Sequence, residues 1–358
     1  MLEKEAIELL KDLIEIYSPS GKEEAIASYI YDYIKSNIKP DYLLIDNVGN
    51  VIALVEGSEP SIMLSSHMDT VKGKLKVKVF DDQIIGRGAC DAKSPLACFI
   101  STIKRLRDNR SFKKKLIFVA TVEEETTCNG IKNLKYTLDK INSWPSYAIF
   151  GEPGGCNKIT IAYNGRIQYN IIFRGNKLHS STKITPNPII EAMNFLNRSR
   201  KNILKNFPDI IFNPTVIECN GEVNVIPSYC KLVLDIRFPR EYNIGDLIQA
   251  MNKNLNKTNS IIKIEDLIEP FEADLNNILV RSFIRTIKRL GLKVELLKKS
   301  GTGEINIFSK LKSIPMITYG PGDSKLSHTN KERIIIDDYL NSIAILENSL
   351  LELDKLLK

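Results

Sequence analysis

The feature that most limits the fold is a change of pattern part-way along the chain, followed by a return. Up to Phe150, short apolar runs alternate with stretches of helical apolar spacing. Glu3 to Ile16 predicts a helix. A second is predicted from near Ser20, with Glu23 three residues on as a capping box, through Ile26, Tyr29, Ile30, Tyr33 and Ile34. Strands follow at Tyr42–Ile45, Val51–Val55 and Ile62–Leu64. Ser94-Pro95, a cap and a first-turn proline, predicts a helix through Leu96 to Leu106, and Leu116–Ala120 and Tyr147–Phe150 read as further strands. That alternation argues for an α/β fold, a sheet under helices.

Near Asn164 the order becomes strand Ile167–Phe173, helix Pro188–Ser199, strands Thr215–Cys219 and Cys230–Phe238, and a helix over Gly245–Leu255. This β-α-β-β-α order with more strand after it resembles a small ferredoxin-like α+β unit. From about residue 280 the first pattern resumes, with a helix at Val280–Leu290, strands at Lys293–Leu297 and Met316–Thr318, and a last helix over Asp337–Leu351. The expected organisation is one domain over 1–163 and 280–358, with a second, 164–279, inserted into it.

Composition excludes several classes. At 358 residues, 43% apolar and 26% charged, the chain is globular and long enough for about two domains. No 18-residue run lacks charge, so no membrane span is expected, and the first ten residues lack the basic start and apolar core of a signal peptide. A cytoplasmic protein is the expectation. Cysteines 90, 98, 128, 156, 219 and 230 form no C-x-x-C pair and read as free thiols. The net charge of +7 is spread along the chain without an aromatic-interleaved basic stripe, so nucleic-acid binding is not expected and an acidic partner suits it better.

The chain has only three histidines, His67, His179 and His328. A lone histidine is most often a surface or satisfied core residue, so the neighbours decide. His67 closes Leu64-Ser65-Ser66-His67-Met68-Asp69, just past a predicted strand. Asp69 can accept its second ring N–H, as a metal-bound imidazole requires. Gly86-Arg87-Gly88-Ala89-Cys90-Asp91 precedes a helix start; Asp91 there is either a first-turn acid favoured by the helix dipole or a carboxylate bridging two cations. Glu123-Glu124-Glu125 follows a strand, and repels itself unless solvated or neutralised by a cation. Glu152 follows strand Tyr147–Phe150, and His328 follows strand Met316–Thr318 at a distance. Two histidines and three carboxylate sites therefore lie past strand ends, where α/β folds bind ligands. That donor set suits a two-metal site with zinc-type ligation.

The order H-x-D, G-R-G-x-x-D, E-E, G-E-P and a late histidine resembles the M20 metallopeptidase family over essentially the whole chain. The resemblance implies a catalytic domain of the dinuclear-zinc peptidase type and an inserted ferredoxin-like α+β domain that serves as lid and dimerisation surface. It implies two divalent ions per subunit, zinc first and cobalt as a substitute. His67 and Glu152 would hold one ion and Glu125 and His328 the other, with Asp91 bridging. Asp69 would orient His67, and Glu124 would be general base and acid. His179, in Arg174-Gly175-Asn176-Lys177-Leu178-His179, would stabilise the oxyanion, in family dimers at the partner subunit's site. Asn224 and Arg237 would touch substrate, the arginine as a carboxylate fork. Ser300-Gly301-Thr302-Gly303-Glu304 matches the loop for the substrate's amino-acid end, so Gly301, Thr302 and Glu304 are expected there.

Within the family the chain is most similar to the archaeal-type hydrolases that release lysine or ornithine from the γ-carboxyl of a glutamate ending an acidic amino-group carrier protein. The residues carrying this are Tyr163-Asn164-Gly165-Arg166-Ile167-Gln168, Ser300–Asn306 and Thr318-Tyr319-Gly320-Pro321-Gly322. The alternatives left open are an N-acetylornithine or N-succinyl-diaminopimelate deacylase, a dipeptidase, or a catalytically silent metal-binding interaction protein. Two positions depart from the pattern: Gly303-Glu304 stands in place of Ser-Asp, and Ser94 in place of glycine.

Overall fold

The computed structural model describes residues 3–109, 112–183, 186–255 and 260–357. They form two compact units. One comprises 1–161, 273–297 and 303–358; the other comprises 162–272 and 298–302.

The first unit is built on a mixed sheet. In spatial order seven of its strands are Tyr42–Ile45, Val51–Val55, Lys114–Thr121, Ser58–His67, Tyr147–Gly151, Met316–Thr318 and Lys158–Tyr163. The four from Lys114–Thr121 to Met316–Thr318 are mutually parallel. Their central stretches are near-continuous apolar runs, as strands covered on both faces require. Register matters most here. His67 stands opposite Thr121, Ser66 opposite Gly151, and Thr318 opposite Phe150. The carboxyl ends of four strands are thus aligned along one sheet edge. Gly151 can only be glycine, since a Cβ there would lie 2.6 Å from Ser66 Cβ.

The expected helices form, with shifted ends that have physical causes, and two more, Asn129–Lys140 and Glu304–Leu311, lie where none was expected. The second helix spans Glu24–Asn37, and Glu23 makes no side-chain cap bond to it. The expected capping box is therefore absent. The Ser20 hydroxyl donates instead to Asp69 Oδ2 at 2.6 Å, and Glu23 Oε1 accepts the Glu123 N–H at 3.0 Å. Ser94 is not a cap either. The helix spans Lys93–Asn109 because its bonding begins at Ala92, whose carbonyl accepts the Leu96 N–H, and the Ser94 hydroxyl turns back to the Cys90 carbonyl.

The second unit carries a four-stranded antiparallel sheet in the order Ile211–Cys219, Tyr229–Phe238, Gly165–Arg174, Ser260–Ile268. Helices Pro188–Asn206 and Ile244–Leu255 complete a β-α-β-β-α-β order with ferredoxin-like strand order. Strict alternation in Gly165–Arg174 turns Ile167, Tyr169, Ile171 and Phe173 into the core, against Phe195 of the longer helix and Leu232 and Leu234 of the neighbouring strand. The ladder places Cys219 opposite Cys230, with Cα atoms 4.3 Å apart, and the two are joined as a disulfide where the sequence suggested free thiols. Cys90, Cys98, Cys128 and Cys156 are free. No helix among the described residues is long and apolar enough to cross a membrane.

Candidate metal centre

The aligned strand ends of the first unit gather the expected donors. His67, the last residue of its strand, is 1% exposed. Its Nδ1 faces the Asp69 carbonyl oxygen at 3.1 Å and Asp69 Oδ1 at 3.3 Å. Two acceptors on one side place the proton on Nδ1 and leave Nε2 as a donor atom for a cation. Nε2 lies 3.2 Å from Asp91 Oδ1 and 3.9 Å from Glu152 Oε1. His328, half exposed at 52%, turns its Nε2 to Glu125 Oε1 at 2.9 Å and to Asp91 Oδ2 at 3.4 Å. Each oxygen of Asp91 therefore faces a different imidazole.

Among the described residues, three groups each bring their donor atoms within 4.8 Å of one another: His67, Asp91 and Glu152; Asp91, Glu125 and His328; and His67, Glu124 and Glu125. The first two share only Asp91. Imidazole nitrogens with converging carboxylate oxygens suit divalent cations of the zinc or cobalt type. The electrostatics agree. Burial, aided by the charges of Glu152, Glu125 and Glu304, pushes the Glu124 carboxyl well above its usual value, against the opposing pull of His67. At His67 burial opposes the charged ring, but hydrogen bonds to Asp69 and Asp91 outweigh it and raise its pKa. Hydrogen bonds to Asp91 and Glu125 raise His328 to about 10. So many acids in one cleft are a site that cations complete.

Asp69 does more than face His67. Its Oδ1 accepts the Glu124 N–H at 3.0 Å and its Oδ2 the Glu125 N–H at 3.2 Å. Two further acids support these loops, and neither was expected from the sequence. Glu332, 1% exposed, accepts the Cys90 and Asp91 N–H groups on Oε1 and the Arg87 guanidinium on Oε2 at 2.7 Å. Asp338 accepts the Cys156 N–H at 2.8 Å and the Gly322 N–H at 2.6 Å, fixing the segments after Glu152 and before His328. Glu332 lies four residues past His328, and that spacing was the available signal.

Glu304 opens helix Glu304–Leu311 in the first unit and is 4% exposed. Among the described residues its Oε1 has no hydrogen-bond partner. Burial first, then the charges of Glu152 and Asp69, push it up to about 7 against Thr121 and His67. Gly301 and Thr302 fall in the second unit, as do His179, Asn224 and Arg237. His179 is exposed, on a two-stranded ribbon that pairs it with Val225. The Asn224 carbonyl accepts the Ser180 N–H at 2.9 Å. His179 Nδ1 accepts the Ser181 N–H at 3.2 Å, so a neutral ring carries its proton on Nε2. The Arg237 guanidinium is already engaged by Asp235, and by the Thr302 hydroxyl at 3.2 Å.

The sequence profile of peptidase family M20/M25/M40 matches residues 63–352. The chain belongs to peptidase family M20/M25/M40. It is 36% identical to a Pyrococcus furiosus protein provisionally named a LysW-lysine/LysW-ornithine hydrolase, with 98% of each chain covered. A Sulfurisphaera tokodaii LysW-lysine/LysW-ornithine hydrolase is 32% identical, covering 97% of this chain and 95% of its own. Among solved structures, the aminopeptidase PepT of Bacillus cereus superposes with a TM-score of 0.82 at 18% identity, with 99% of each chain covered. An M20 family metallo-carboxypeptidase of Sulfolobus solfataricus gives 0.81 at 18% identity, covering 98% of this chain and 99% of its own. These structures share the M20 fold.

Proposed function

We propose that this M20 protein is a metal-dependent amidohydrolase that releases L-lysine, L-ornithine or both from the γ-carboxyl of the C-terminal glutamate of an acidic amino-group carrier protein. The observation that carries the chemistry is the placing of the two Asp91 oxygens against two different imidazoles. The substrate rests on full-length relatives named LysW-lysine/LysW-ornithine hydrolases. A net charge of +7 suits an acidic carrier.

His67, Asp91 and Glu152 would hold one divalent ion, and Asp91, Glu125 and His328 the other. We take the ions to be zinc, with cobalt able to replace it. When bound, the pair polarises the amide carbonyl and acidifies a water. Asp69 orients His67 through Nδ1 and pins the main chain under Glu124. Glu124, its carboxyl raised by burial, takes the proton from the attacking water and hands it to the leaving amine. The Nε2–H of His179 donates to the developing oxyanion. Asn224 and Arg237 are assigned to substrate contact, and Gly301, Thr302 and Glu304 to its amino-acid end.

We further propose a homodimer through the second unit. The edge strand Ile211–Cys219 exposes Val216 and Ile217, and the adjoining helix exposes Ile190 and Met193. A soluble carrier protein as substrate favours a cytoplasmic enzyme.

The test is mass spectrometry of the purified carrier, loaded with lysine or ornithine, after incubation with zinc- or cobalt-loaded enzyme. N-acetylornithine and N-succinyl-diaminopimelate run in parallel. Loss of one lysine or ornithine from the carrier, with both small molecules intact, is the expected result. Cleavage of the small molecules alone overturns the carrier reading and leaves an M20 deacylase.

A further inference from the structure

The turn that carries Glu124 and Glu125 is held from outside itself. Past the strand Lys114–Thr121 come four consecutive main-chain N–H groups, and each donates to a side-chain oxygen from a distant part of the chain. Val122 donates to Asn50 Oδ1 at 3.1 Å, Glu123 to Glu23 Oε1 at 3.0 Å, Glu124 to Asp69 Oδ1 at 3.0 Å and Glu125 to Asp69 Oδ2 at 3.2 Å. Asn50 reaches on to the Gly130 carbonyl at 3.0 Å, so the far end of the turn is tied as well. Glu123 stands at φ +58°, in the left-handed region that an L side chain occupies only when its surroundings hold it there. Its carbonyl accepts the Cys128 N–H at 2.7 Å. Glu123 is thus the corner at which the chain is redirected, and its dihedral angle sets where the next two acids point.

Glu23 is the side chain that fixes that corner. It is 5% exposed, and its burial brings nothing to its own helix, since it makes no cap bond there. The segment it belongs to is stitched to the His67 strand end. The Ser18 hydroxyl donates to the Met68 carbonyl at 2.8 Å, the Thr70 N–H to the Ser18 carbonyl at 2.9 Å, and the Ser20 hydroxyl to Asp69. Glu23 therefore reaches the turn from a fixed base. Asp69 and Glu23 act together, one gripping Glu124 and Glu125, the other the residue before them.

We propose that Glu23 is a positioning residue: by accepting the Glu123 N–H it holds the left-handed corner that aims Glu124 at the reacting amide. The inference rests on the reading of Glu124 as the proton carrier. What matters is the acceptor at that point in space, so an amide oxygen in the same place serves and a shortened carboxylate does not.

The experiment compares Glu23→Ala, Glu23→Asp and Glu23→Gln by steady-state kinetics on lysine-loaded carrier, metal content, and hydrogen exchange over residues 122–126, with Glu124→Ala as control. Glu23→Ala and Glu23→Asp are expected to lose roughly 10- to 100-fold in kcat at unchanged metal content, with KM within about twofold. Exchange at 123–125 rises in both. Glu23→Gln recovers most of the kcat. Wild-type kcat in Glu23→Ala, an equal loss in Glu23→Gln, or a loss explained by missing metal overturns the proposal. If Glu23→Ala does not fold, the contrast between Asp and Gln decides. Normal turnover in Glu124→Ala removes the underlying reading instead, and the two failures are told apart.

Discussion

The two units hold their chemistry-bearing side chains in opposite ways. In the first, His67 is buried, its ring is fixed on one side by Asp69, and the acids near it sit on main chain gripped by Asn50, Glu23, Asp69 and Glu332. In the second, His179 is exposed on a short ribbon with exposed Asn224 at its end, and the ring of His179 is steadied by Ser181, two residues away. The difference fits the role proposed for each group. Metal ligands must converge before an ion arrives, because like charges will not stay together unless the fold imposes it. A group that meets substrate needs only to be correctly protonated and free to reach it. One site is prepared by the fold, and the other is presented by it.

The largest effect is expected at Glu124. Replacing it by alanine should lower kcat roughly 10³- to 10⁴-fold while both metals stay bound, because its proposed role is proton transfer and Asp69 grips its main chain rather than its side chain. Kinetics with parallel metal analysis decide it. Normal turnover would remove Glu124 from the mechanism, and lost metal would make it a ligand, as its place in the trio with His67 and Glu125 permits.

The site in the first unit is expected not to depend on the second unit's core. Phe195 there packs against Phe173 with ring centroids 5.5 Å apart. Phe195→Ala should cost about 3–5 kcal/mol of that unit's stability. Calorimetry should show one transition moved down, with metal uptake retained at a temperature where the second unit is unfolded. Joint loss of both would show a single cooperative unit. A smaller effect is expected at His179. His179→Ala should lower kcat roughly 10²- to 10³-fold with unchanged metal content and thermal midpoint, because it removes one donor and no packing. A fall in metal content would put the ring inside the prepared site.

Much of this contrast was legible in the sequence. His67, Glu125, Glu152 and His328 could be placed past strand ends, because short apolar runs and helical spacing fix which residues end a parallel strand. The structure brings those residues and Asp91 together. What stayed hidden depends on partners far along the chain. Ser20 and Glu23 have the spacing of a capping box, yet Asp69 and the Glu123 N–H win both side chains. A local pattern offers a helix end, and only the folded chain supplies the buried competitor. Ser94 was misread for the same reason, since helical bonding already starts at Ala92. Asn50, Glu332 and Asp338 hold ligand loops through main-chain N–H groups, which have no residue-type signature. The Cys219–Cys230 pairing needed the ladder register, which spacing does not give.

The smallest expected effect tests whether the second unit has any electrostatic preparation of its own. Asp235 lies between two guanidinium groups: Arg237 Nε is 2.5 Å from Oδ1 and Arg166 Nε 2.8 Å from Oδ2. Burial alone would raise its carboxyl, but Arg237 and Arg166 outweigh it and hold the pKa below the usual range. A folded-state pKa below the unfolded one means that the ionised form stabilises the fold. That contribution is present above the unfolded value, roughly pH 4, and is lost as pH falls towards the folded value. Asp235→Asn should therefore be less stable than the parent by about 1 kcal/mol at neutral pH, the pair being only partly shielded from water, with the gap closing below about pH 4. Urea unfolding of the second unit from pH 7 to pH 3 measures it. A gap that stays constant across that range would mean that Asp235 acts through shape and neutral hydrogen bonds. Asp235 would then lend the second unit no electrostatic preparation, in contrast with the buried carboxylates around His67.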